Sequence, residues 1–423
     1  MAEQHRRRRW PYWVAFAFAI VAGLLWIAQD QETLKVENPV AASDPRFIDY
    51  VASLTGAPVA SGDAYTVLRN GDEAYPPMLA AITGAKARIV FESYVFQDGE
   101  VGAKFIQGFE AASKRGVSVK MVLDSVGASL PDEIIERLEA AGAHVRFFNP
   151  LRFWQLEDTN YRTHRKLLVV DGEVAFTGGM GIDDQWLGNA QDPAHWRDTQ
   201  FQVVGPAVRA LEAGFYENWL ESGGQQAPAL DPELPTRPTG ARSIVLWSNP
   251  TGGASNIKML YLLAIAGART TIDIHSPYVT LDSSTRWGLN EARRRGVRVR
   301  ILSEGENTDA MPVKHAIRYG YQRLLEEGYE VAEYQPTMMH VKAVIVDDVF
   351  SLIGSANFGN RSFEVNDELT VAVSDREFAA SLVRDFENDL QRSTRLEAAT
   401  WPGQRSMVGK VQEWFWSFFG ELF

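Results

Sequence analysis

The sequence predicts an α/β fold built from two similar halves, and three observations support that prediction. The chain has 423 residues, enough for two ordinary domains, and its 45% hydrophobic and 23% charged content is typical of folded globular proteins. Apolar segments with strand character alternate with segments of helical periodicity. The order of these segments in the first half recurs in the second, so a duplicated unit is expected.

The chain begins with a basic cluster and a long uncharged segment. Arginines occupy positions 6–9, and residues 10–28 (WPYWVAFAFAIVAGLLWIA) carry no charge. That run has the length a helix needs to cross ~30 Å of hydrocarbon. A cleaved signal peptide is the alternative, but no small-x-small cleavage pattern lies near Ala28, so a transmembrane anchor is preferred. The arginines favour a cytoplasmic N-terminus and a body outside the cytoplasm.

The two halves repeat the same series of elements. AKARIVFESYVF and ARTTIDIHSPYV are predicted strands, each followed by a helix and then by a second strand, KRGVSVKMVLDS or RRGVRVRILSEG. Alternating strands and helices imply a mostly parallel sheet covered by helices in each half. The predicted divisions are the tail, anchor and linker (1–46), the first repeat (47–222), a Gly/Pro-rich linker (223–242), the second repeat (243–400) and a C-terminal helix (401–423).

Each half carries the same spaced motif, H-x-K-x4-D-x6-G. The first copy comprises His164, Lys166, Asp171 and Gly178-Gly179, and the second comprises His340, Lys342, Asp347 and Gly354-Ser355. Residues two apart in a strand share a face, so each histidine and its lysine point the same way. If the halves pack about a pseudo-twofold axis, both pairs converge on one site between them. Histidines can act as nucleophile and proton donor there, while lysines bind phosphodiester oxygens.

Residues around the two motif copies are expected to support this chemistry. Asp198 and Glu368 precede matching strand segments, and each is expected to accept a hydrogen bond from a catalytic imidazole. The motif aspartates, Asp171 and Asp347, are at odd offsets from the histidines, which predicts a structural role on the opposite strand face.

The glycine-rich turns TGGMGID and IGSANFGNRS allow the backbone to approach a phosphate closely. Gly179, Ser355 and Asn357 are therefore predicted to bind substrate phosphate. The first copy has glycines at 179 and 181 where the second has Ser355 and Asn357, so the second copy is expected to make more of the polar contacts.

Three further residues are candidates for lining the substrate site. Glu92 and Tyr278 lie at equivalent strand ends of the two repeats, where sheets of this kind bind ligands, and a structural role is the alternative for both. Asp309 lies in a loop before a helix near Lys314, where it either lines the entrance or caps the helix. With no cysteine and no His-x-His or His-x-x-x-His pair, no metal site is predicted.

The paired motifs, together with the segments GSANFGNRSFEVNDE, WRDTQFQVVGPAV and LLEEGYEVAEYQPTMMHVKAVIVDD, resemble the phospholipase D superfamily and, within it, the bacterial cardiolipin synthase-like branch. The resemblance covers about residues 65–390. It implies two phospholipase D-type repeats and a ping-pong mechanism without metal or organic cofactor. One histidine attacks phosphorus and the other protonates the leaving alcohol, then activates the acceptor. We assign His164 as nucleophile and His340 as general acid/base.

The resemblance also implies the partners of the protein. Phosphatidylglycerol is the expected substrate, with phosphatidylethanolamine as a further candidate, and the expected location is the bacterial inner membrane. A phospholipase D hydrolase and an envelope phosphodiesterase or nuclease are the alternative functions. The whole chain has a net charge of −12, and residues 1–28 contribute +3, so the remaining residues carry −15. Because an acidic body does not attract the phosphates of nucleic acid, no nucleic-acid partner is expected.

The C-terminal segment MVGKVQEWFWSFFGELF places apolar residues at helical spacing. These residues are Met407, Val411, Trp414, Phe415, Phe418 and Leu422, with Glu413, Ser417 and Glu421 on another side. Such a helix either completes a hydrophobic core or lies in the membrane interface, and the sequence favours neither.

Overall fold

The computed structural model describes residues 33–37, 40–150, 160–227, 239–249 and 256–420. Within these ranges no helix combines the length and the apolar character needed to cross a bilayer. The predicted anchor, residues 10–28, lies outside the described residues, as does most of the predicted linker.

The described residues form one continuous sheet of 15 strands and a separate two-stranded ribbon. The strands of the first half are β1 (Val59–Arg69), β2 (Arg88–Ser93), β3 (Phe96–Gln97), β4 (Ser118–Asp124), β5 (Ala128–Ser129), β6 (His144–Phe148), β7 (Leu167–Val170), β8 (Val174–Gly178) and β9 (Thr199–Val204). Those of the second half are β10 (Ala241–Trp247), β11 (Thr271–His275), β12 (Arg298–Glu304), β13 (Glu330–Tyr334), β14 (Ala343–Val346), β15 (Phe350–Gly354), β16 (Leu369–Ser374) and β17 (Ser393–Arg395). The large sheet has the order β17-β13-β12-β11-β14-β15-β16-β10-β1-β9-β8-β7-β2-β4-β6, and the ribbon pairs β3 with β5.

Helices cover both faces of the large sheet. Those of the first half are α1 (Phe47–Thr55), α2 (Asn70–Gly84), α3 (Glu100–Lys114), α4 (Asp132–Ala140) and α5 (Ala207–Glu221). Those of the second half are α6 (Asn256–Gly267), α7 (Ser283–Arg294), α8 (Met311–Glu326), α9 (Asn360–Glu364), α10 (Arg376–Gln391), α11 (Trp401–Gln404) and α12 (Met407–Ser417). The series β2-α3-β4-α4-β6-β7-β8-β9-α5 recurs as β11-α7-β12-α8-β13-β14-β15-β16-α10, which confirms the predicted α/β repeat.

The prediction of a mostly parallel sheet is wrong. Among the described strands of the large sheet, only β2–β4, β4–β6, β11–β12 and β12–β13 pair in parallel. The central strands are antiparallel because β7–β8 and β14–β15 are hairpins rather than helix-linked strands. The sequence does hold a signal for the first hairpin, since Asp171 and Gly172 both have positive φ and Asp-Gly is a favoured pair for such a turn.

The two halves share one core. β1 of the first half pairs antiparallel with β10 of the second, so the sheet runs unbroken through the centre of the molecule. On one face of the sheet, buried side chains of α5 and α10, including Phe215 and Phe386, pack in a single apolar cluster with strand residues of both halves. Fully burying each such side chain contributes about 1.5–3 kcal/mol. This shared cluster holds the halves in a fixed relation, which the site between them requires.

Candidate active site

Both motif histidines lie in short segments whose backbone is hydrogen-bonded to the opposite half of the molecule. His164 precedes β7, and its backbone N–H donates to the carbonyl oxygen of Asp367 at 2.8 Å. The N–H of Asp367 donates in turn to the carbonyl oxygen of Arg162 at 2.9 Å. Residues 162–164 are therefore bonded to the second half before the chain enters its own sheet.

The second half repeats this arrangement. The N–H of His340 donates to the carbonyl oxygen of Arg197 at 2.7 Å, and the N–H of Arg197 donates to Met338 at 2.8 Å. Each motif histidine and its lysine were expected to share a strand, but the strands begin only after the lysines, at Leu167 and Ala343. The residues before those positions bond across the interface instead of to a neighbouring strand of their own half.

The two motif lysines fold back onto their histidines. Lys166 Nζ donates to the carbonyl oxygen of His164 at 2.8 Å. Lys342 Nζ donates to the carbonyl oxygen of His340 at 3.0 Å and also lies 3.0 Å from Nε2 of that imidazole. Each half thus places one ammonium group beside its own imidazole.

Glu368 of the second half holds the imidazole of the first. Its Oε1 lies 2.9 Å from Nδ1 of His164 and accepts from the Ser362 hydroxyl at 2.6 Å, while its Oε2 accepts from the Ser355 hydroxyl. Burial alone would raise the pKa of Glu368, but the charge and hydrogen bond of His164, with the charge of Lys166, lower it to about 2. The carboxylate is therefore ionised and fixed by three partners.

Asp198 of the first half holds the imidazole of the second. Its Oδ2 lies 2.8 Å from Nδ1 of His340 and accepts from Trp186 Nε1 at 2.9 Å, while its Oδ1 accepts from the Thr199 N–H at 2.7 Å. A Cβ at Gly179 would lie 2.2 Å from Asp198 Oδ1, so only glycine fits at that position. Each histidine is thus oriented by a carboxylate from the opposite half.

Burial lowers the pKa of the motif side chains. The pKa of His164 falls to about 4 because burial and the nearby lysines outweigh Glu368. Burial and the charge of Lys342 lower the pKa of Lys166 to about 7, and burial lowers that of Lys342 to about 8. Burial and the charge of Lys342 also lower the pKa of His340. Both imidazoles are therefore mainly neutral near pH 7, as a nitrogen nucleophile must be.

Both histidines line one cavity of about 560 Å³ between the halves. Its lining residues are Tyr94, Val95, Arg162, His164, Lys166, Gln185, Trp186 and Trp196 of the first half and Tyr278, Thr280, Asp309, Ala310, Val313, His340, Asn357, Gly359, Arg361, Ser362 and Asn366 of the second. The described residues contain no group of three or more His, Asp or Glu side chains arranged to hold a metal ion.

Comparison with known proteins identifies the family. The model of the family described as cardiolipin synthase, PLD-like domain, matches residues 78–199 and 261–390. The chain belongs to this family. It is 31% identical over 394 residues to cardiolipin synthase 1 of Bacillus anthracis, covering 90% of this chain and 77% of that protein. It is 30% identical over 361 residues to cardiolipin synthase A of Pseudomonas fluorescens, covering 85% of this chain and 74% of that protein.

Solved structures share the fold. Phosphatidylserine synthase of Haemophilus influenzae superposes with a TM-score of 0.70 at 14% identity, covering 89% of this chain and 98% of that one. Polyphosphate kinase of Porphyromonas gingivalis superposes with a TM-score of 0.54 at 12% identity, covering 88% of this chain and 53% of that one. At these identities the likeness concerns the fold alone.

The sequence did not predict the aromatic residues that surround the two motif histidines. The ring of Tyr94 lies 5.4 Å from that of His164. The rings of Trp186 and Trp196 lie 5.7 and 5.4 Å from that of His340. Trp196 stands two residues before Asp198 in the motif segment WRDTQ, which was the available signal. Tyr94 and Trp186 follow from packing that the linear sequence does not reveal.

The structure brings two of the three candidate lining residues to the cavity. Tyr278 donates its hydroxyl hydrogen to Asp309, and both line the cavity near its rim. Glu92 does not line it and is fully buried, where it accepts from Thr163 at 2.5 Å and from Asn218 at 2.7 Å. The substrate-lining role is therefore wrong for Glu92, because Asn218 of α5 and Thr163 cover the strand end on which it lies.

Of the three predicted phosphate-binding residues, one lines the cavity and two do not. Asn357 lines the cavity, and its side-chain oxygen has no hydrogen-bond partner among the described residues, so it is positioned to bind a ligand. Ser355 is fully buried and donates to Glu368, while the N–H of Gly179 is bonded to Thr199 at 3.2 Å. The structure therefore contradicts phosphate binding by Ser355 and Gly179, which position the two carboxylates instead.

The motif aspartates lie away from the cavity. Asp171 accepts the backbone N–H groups of residues 86–88 at 2.8–2.9 Å, and Asp347 accepts those of residues 269–271 at 2.7–3.1 Å. Both have positive φ and begin the hairpins that follow each motif strand. These contacts support the predicted structural role, since each carboxylate ties a hairpin to the start of a neighbouring strand.

Proposed function

We propose that this chain is a phosphatidyltransferase of the cardiolipin synthase type, which transfers a phosphatidyl group from one phospholipid to a hydroxyl of another. The supporting observation is the pair of imidazoles in one cavity, each with Nδ1 held by a carboxylate of the opposite half. Because Nδ1 of each ring is held by a carboxylate, Nε2 is the nitrogen we assign to the reaction; in His340 it also lies 3.0 Å from Lys342 Nζ.

In the first step, Nε2 of His164 attacks the donor phosphorus. An N–P bond forms, the P–O bond to the headgroup alcohol breaks, and His340 transfers a proton from Nε2 to the leaving oxygen. The negative charge of the bound phosphate raises the pKa of His340, so His340 is protonated in the complex and can donate that proton. Lys166, which lines the cavity, stabilises the negative charge on the non-bridging oxygens, and Lys342 adds a positive charge beside the His340 imidazole.

In the second step, His340 removes the proton from the acceptor hydroxyl. The acceptor oxygen attacks phosphorus, the N–P bond breaks and His164 is released neutral, as it began. With phosphatidylglycerol as both donor and acceptor, the products are cardiolipin and glycerol, and phosphatidylethanolamine is a second candidate donor. The same residues would hydrolyse the donor to phosphatidic acid if water replaced the acceptor.

The proposed location is the bacterial inner membrane, with a single span at residues 10–28. Its support is the sequence of residues 6–28, where four arginines precede an uncharged run. The N-terminus would then be cytoplasmic and the catalytic body extracytoplasmic.

The test is incubation of the purified full-length protein with vesicles of phosphatidylglycerol and phosphatidylethanolamine, followed by lipid analysis. From the native protein we expect cardiolipin and an equal amount of released headgroup alcohol, which is glycerol where phosphatidylglycerol is the donor and ethanolamine where phosphatidylethanolamine is; His164→Ala should give neither product. Phosphatidic acid without cardiolipin would replace the proposal by hydrolysis. No lipid turnover under any condition would instead redirect it to another phosphodiester, with oligonucleotides as the next substrate to try.

A further inference from the structure

The C-terminal helix α12 docks on the body through a charged side chain rather than an apolar one. Glu413 is buried, with its carboxylate 2.8 Å from Arg405 and 3.8 Å from Arg318 of α8. Ser406 starts the helix by accepting the N–H of Gly409 at 3.0 Å, so α12 is separate from α11 and the predicted single helix over 401–423 is divided. The side of α12 that carries Glu413 therefore faces the protein.

The apolar side of α12 faces outward. Its members and their exposed fractions are Met407 77%, Val408 69%, Val411 60%, Trp414 52%, Phe415 48% and Phe418 46%. They recur three, four or one residue apart and so form one stripe along the helix. Exposed apolar surface of this extent is unfavourable in water at about 25 cal/mol per Å², and contiguous patches mark contact sites.

The position of α12 connects this stripe with the catalytic cavity. The helix packs against α8, which begins directly after the cavity-lining residues Asp309 and Ala310. A second cavity of about 250 Å³ is lined by Ser417 and Gly420 at the end of α12 and by Thr280, which also lines the catalytic cavity. The outward stripe thus ends beside a recess that adjoins the active site.

The N-terminal segment reaches the same side of the molecule. The N–H of Leu34 donates to the hydroxyl of Ser284 at 3.0 Å, and the adjacent Ser283 lines the second cavity. The uncharged run of residues 10–28 ends six residues before Leu34. Six residues span at most about 20 Å. The proposed membrane anchor is therefore tethered close to the recess at which α12 ends.

We propose that the outward stripe of α12 lies in the interfacial region of a phospholipid bilayer and holds the mouth of the catalytic cavity against it. Tryptophan and phenylalanine are side chains that favour this region of the bilayer. The tether at Leu34 and the adjoining cavity favour a bilayer as the partner of the stripe. A second copy of the chain on the stripe would cover the recess beside Ser417. The inference rests on the proposed function in one respect, that the substrate enters from the lipid phase.

Site-specific labelling tests the contact without requiring turnover. The chain has no cysteine, so Val411→Cys on the stripe and Glu139→Cys on the exposed face of α4 can each carry one fluorophore in the full-length protein. In vesicles of phosphatidylglycerol and phosphatidylethanolamine, brominated lipids should quench the label at 411 at least about twofold more than the label at 139. Equal quenching would overturn the inference. So would energy transfer between labelled copies that rises with the protein-to-lipid ratio, which would identify a second copy as the occupant.

Turnover tests the consequence for catalysis. The double variant Val411→Ser, Phe415→Ser should lose about tenfold in cardiolipin formation on vesicles while still sedimenting with them through the anchor. Its activity on dispersed short-chain phosphatidylglycerol should be unchanged, and Val411→Ile with Phe415→Leu should behave as the native protein. Unchanged vesicle turnover in the serine variant would contradict the inference. If the native protein makes no cardiolipin from either substrate form, the proposed function fails, and the quenching measurement alone decides the position of α12.

Discussion

The two halves place the same motif in different surroundings. His164 lies beside Tyr94 and is 12% exposed at its side chain, whereas His340 lies against Trp186 and Trp196 and is 7% exposed. Both imidazoles are held at Nδ1 by a buried carboxylate, so the difference lies in the groups that surround the reacting nitrogen.

The surroundings also differ in charge. Lys166, Arg162 and Arg361 line the cavity together with His164, whereas Lys342 is buried behind the His340 ring and does not line it. A cluster of cations favours an anionic phosphodiester beside His164. An aromatic wall excludes water from the side where His340 would exchange protons with an alcohol. The duplicated motif therefore supplies two equivalent groups, and the residues that are not duplicated give each group different surroundings, which fits the different roles proposed for the two histidines.

The largest expected effect comes from removing either histidine, because each acts at the reacting bonds. His164→Ala and His340→Ala should each lower kcat about 10⁴-fold or more. The two variants can be distinguished with a lipid phosphodiester that carries a p-nitrophenol leaving group, because p-nitrophenolate leaves without being protonated. His340→Ala should then accumulate an acid-labile covalent phosphatidyl adduct, seen by mass spectrometry, and His164→Ala should form none.

An adduct on His164→Ala but not on His340→Ala would exchange the two roles while leaving the mechanism intact. An adduct on neither variant, with substrate still consumed, would exclude the covalent route. Native protein quenched in alkali during turnover is the control for adduct stability, because the N–P bond survives in base and is hydrolysed in acid.

Removing the carboxylates should have the next largest effect. Glu368→Gln and Asp198→Asn keep the shape of each side chain but lose the charge that orients the imidazole, and kcat should fall about 10²–10⁴-fold. Since Glu368 raises the pKa of His164, the acid limb of the remaining kcat/KM profile should move to lower pH in Glu368→Gln. A shift to higher pH in the rate profile would contradict the assignment.

The residues of the site that recur in both halves could be predicted from the sequence, and most of those that do not recur could not. The His/Lys pairs follow from the spacing of the duplicated motif, and a carboxylate partner for each imidazole follows from the matching positions of Asp198 and Glu368; that each carboxylate comes from the opposite half was not predicted. The antiparallel centre of the sheet was missed because helix and strand alternation does not distinguish a tight hairpin from a crossover.

Side-chain roles within the turns were the least predictable. Ser355 was expected to meet substrate, yet it is bonded to Glu368, since the turn after β15 directs its hydroxyl inward. Tyr94 and Trp186 reach the site only through tertiary packing, and no local pattern marks them. The sequence predicts the apolar stripe of α12, but only the buried Glu413 reveals which side of the helix faces the protein.

A smaller effect is expected from pH on anion binding. Because the pKa of Lys166 is about 7 and that of Lys342 about 8, both charges are present at pH 6 and are lost as pH rises through these values. In the inactive His164→Ala protein, the Kd for glycerophosphoglycerol, a diester that stays singly charged, should rise up to about tenfold per pH unit above 7.

Lys342→Gln in the same background is the matched control. Because the charge of Lys342 lowers the pKa of Lys166, its removal should move the loss of binding by Lys166 to higher pH. Calorimetric titration between pH 6 and 9 measures both midpoints. A Kd independent of pH would show that Lys166 does not bind the phosphodiester.

The smallest effect on catalysis is expected from the motif aspartates, which differ between the halves only in degree. Asp171 accepts three backbone N–H groups, and Asp347 accepts three plus the hydroxyl of Thr270. Asp171→Asn and Asp347→Asn should each lower the free energy of unfolding by about 1–3 kcal/mol, with the larger loss at Asp347. Denaturant midpoints measure this, and kcat per folded molecule should stay near that of the native protein. A large loss of kcat at unchanged stability would place these carboxylates in the reaction and contradict their structural role.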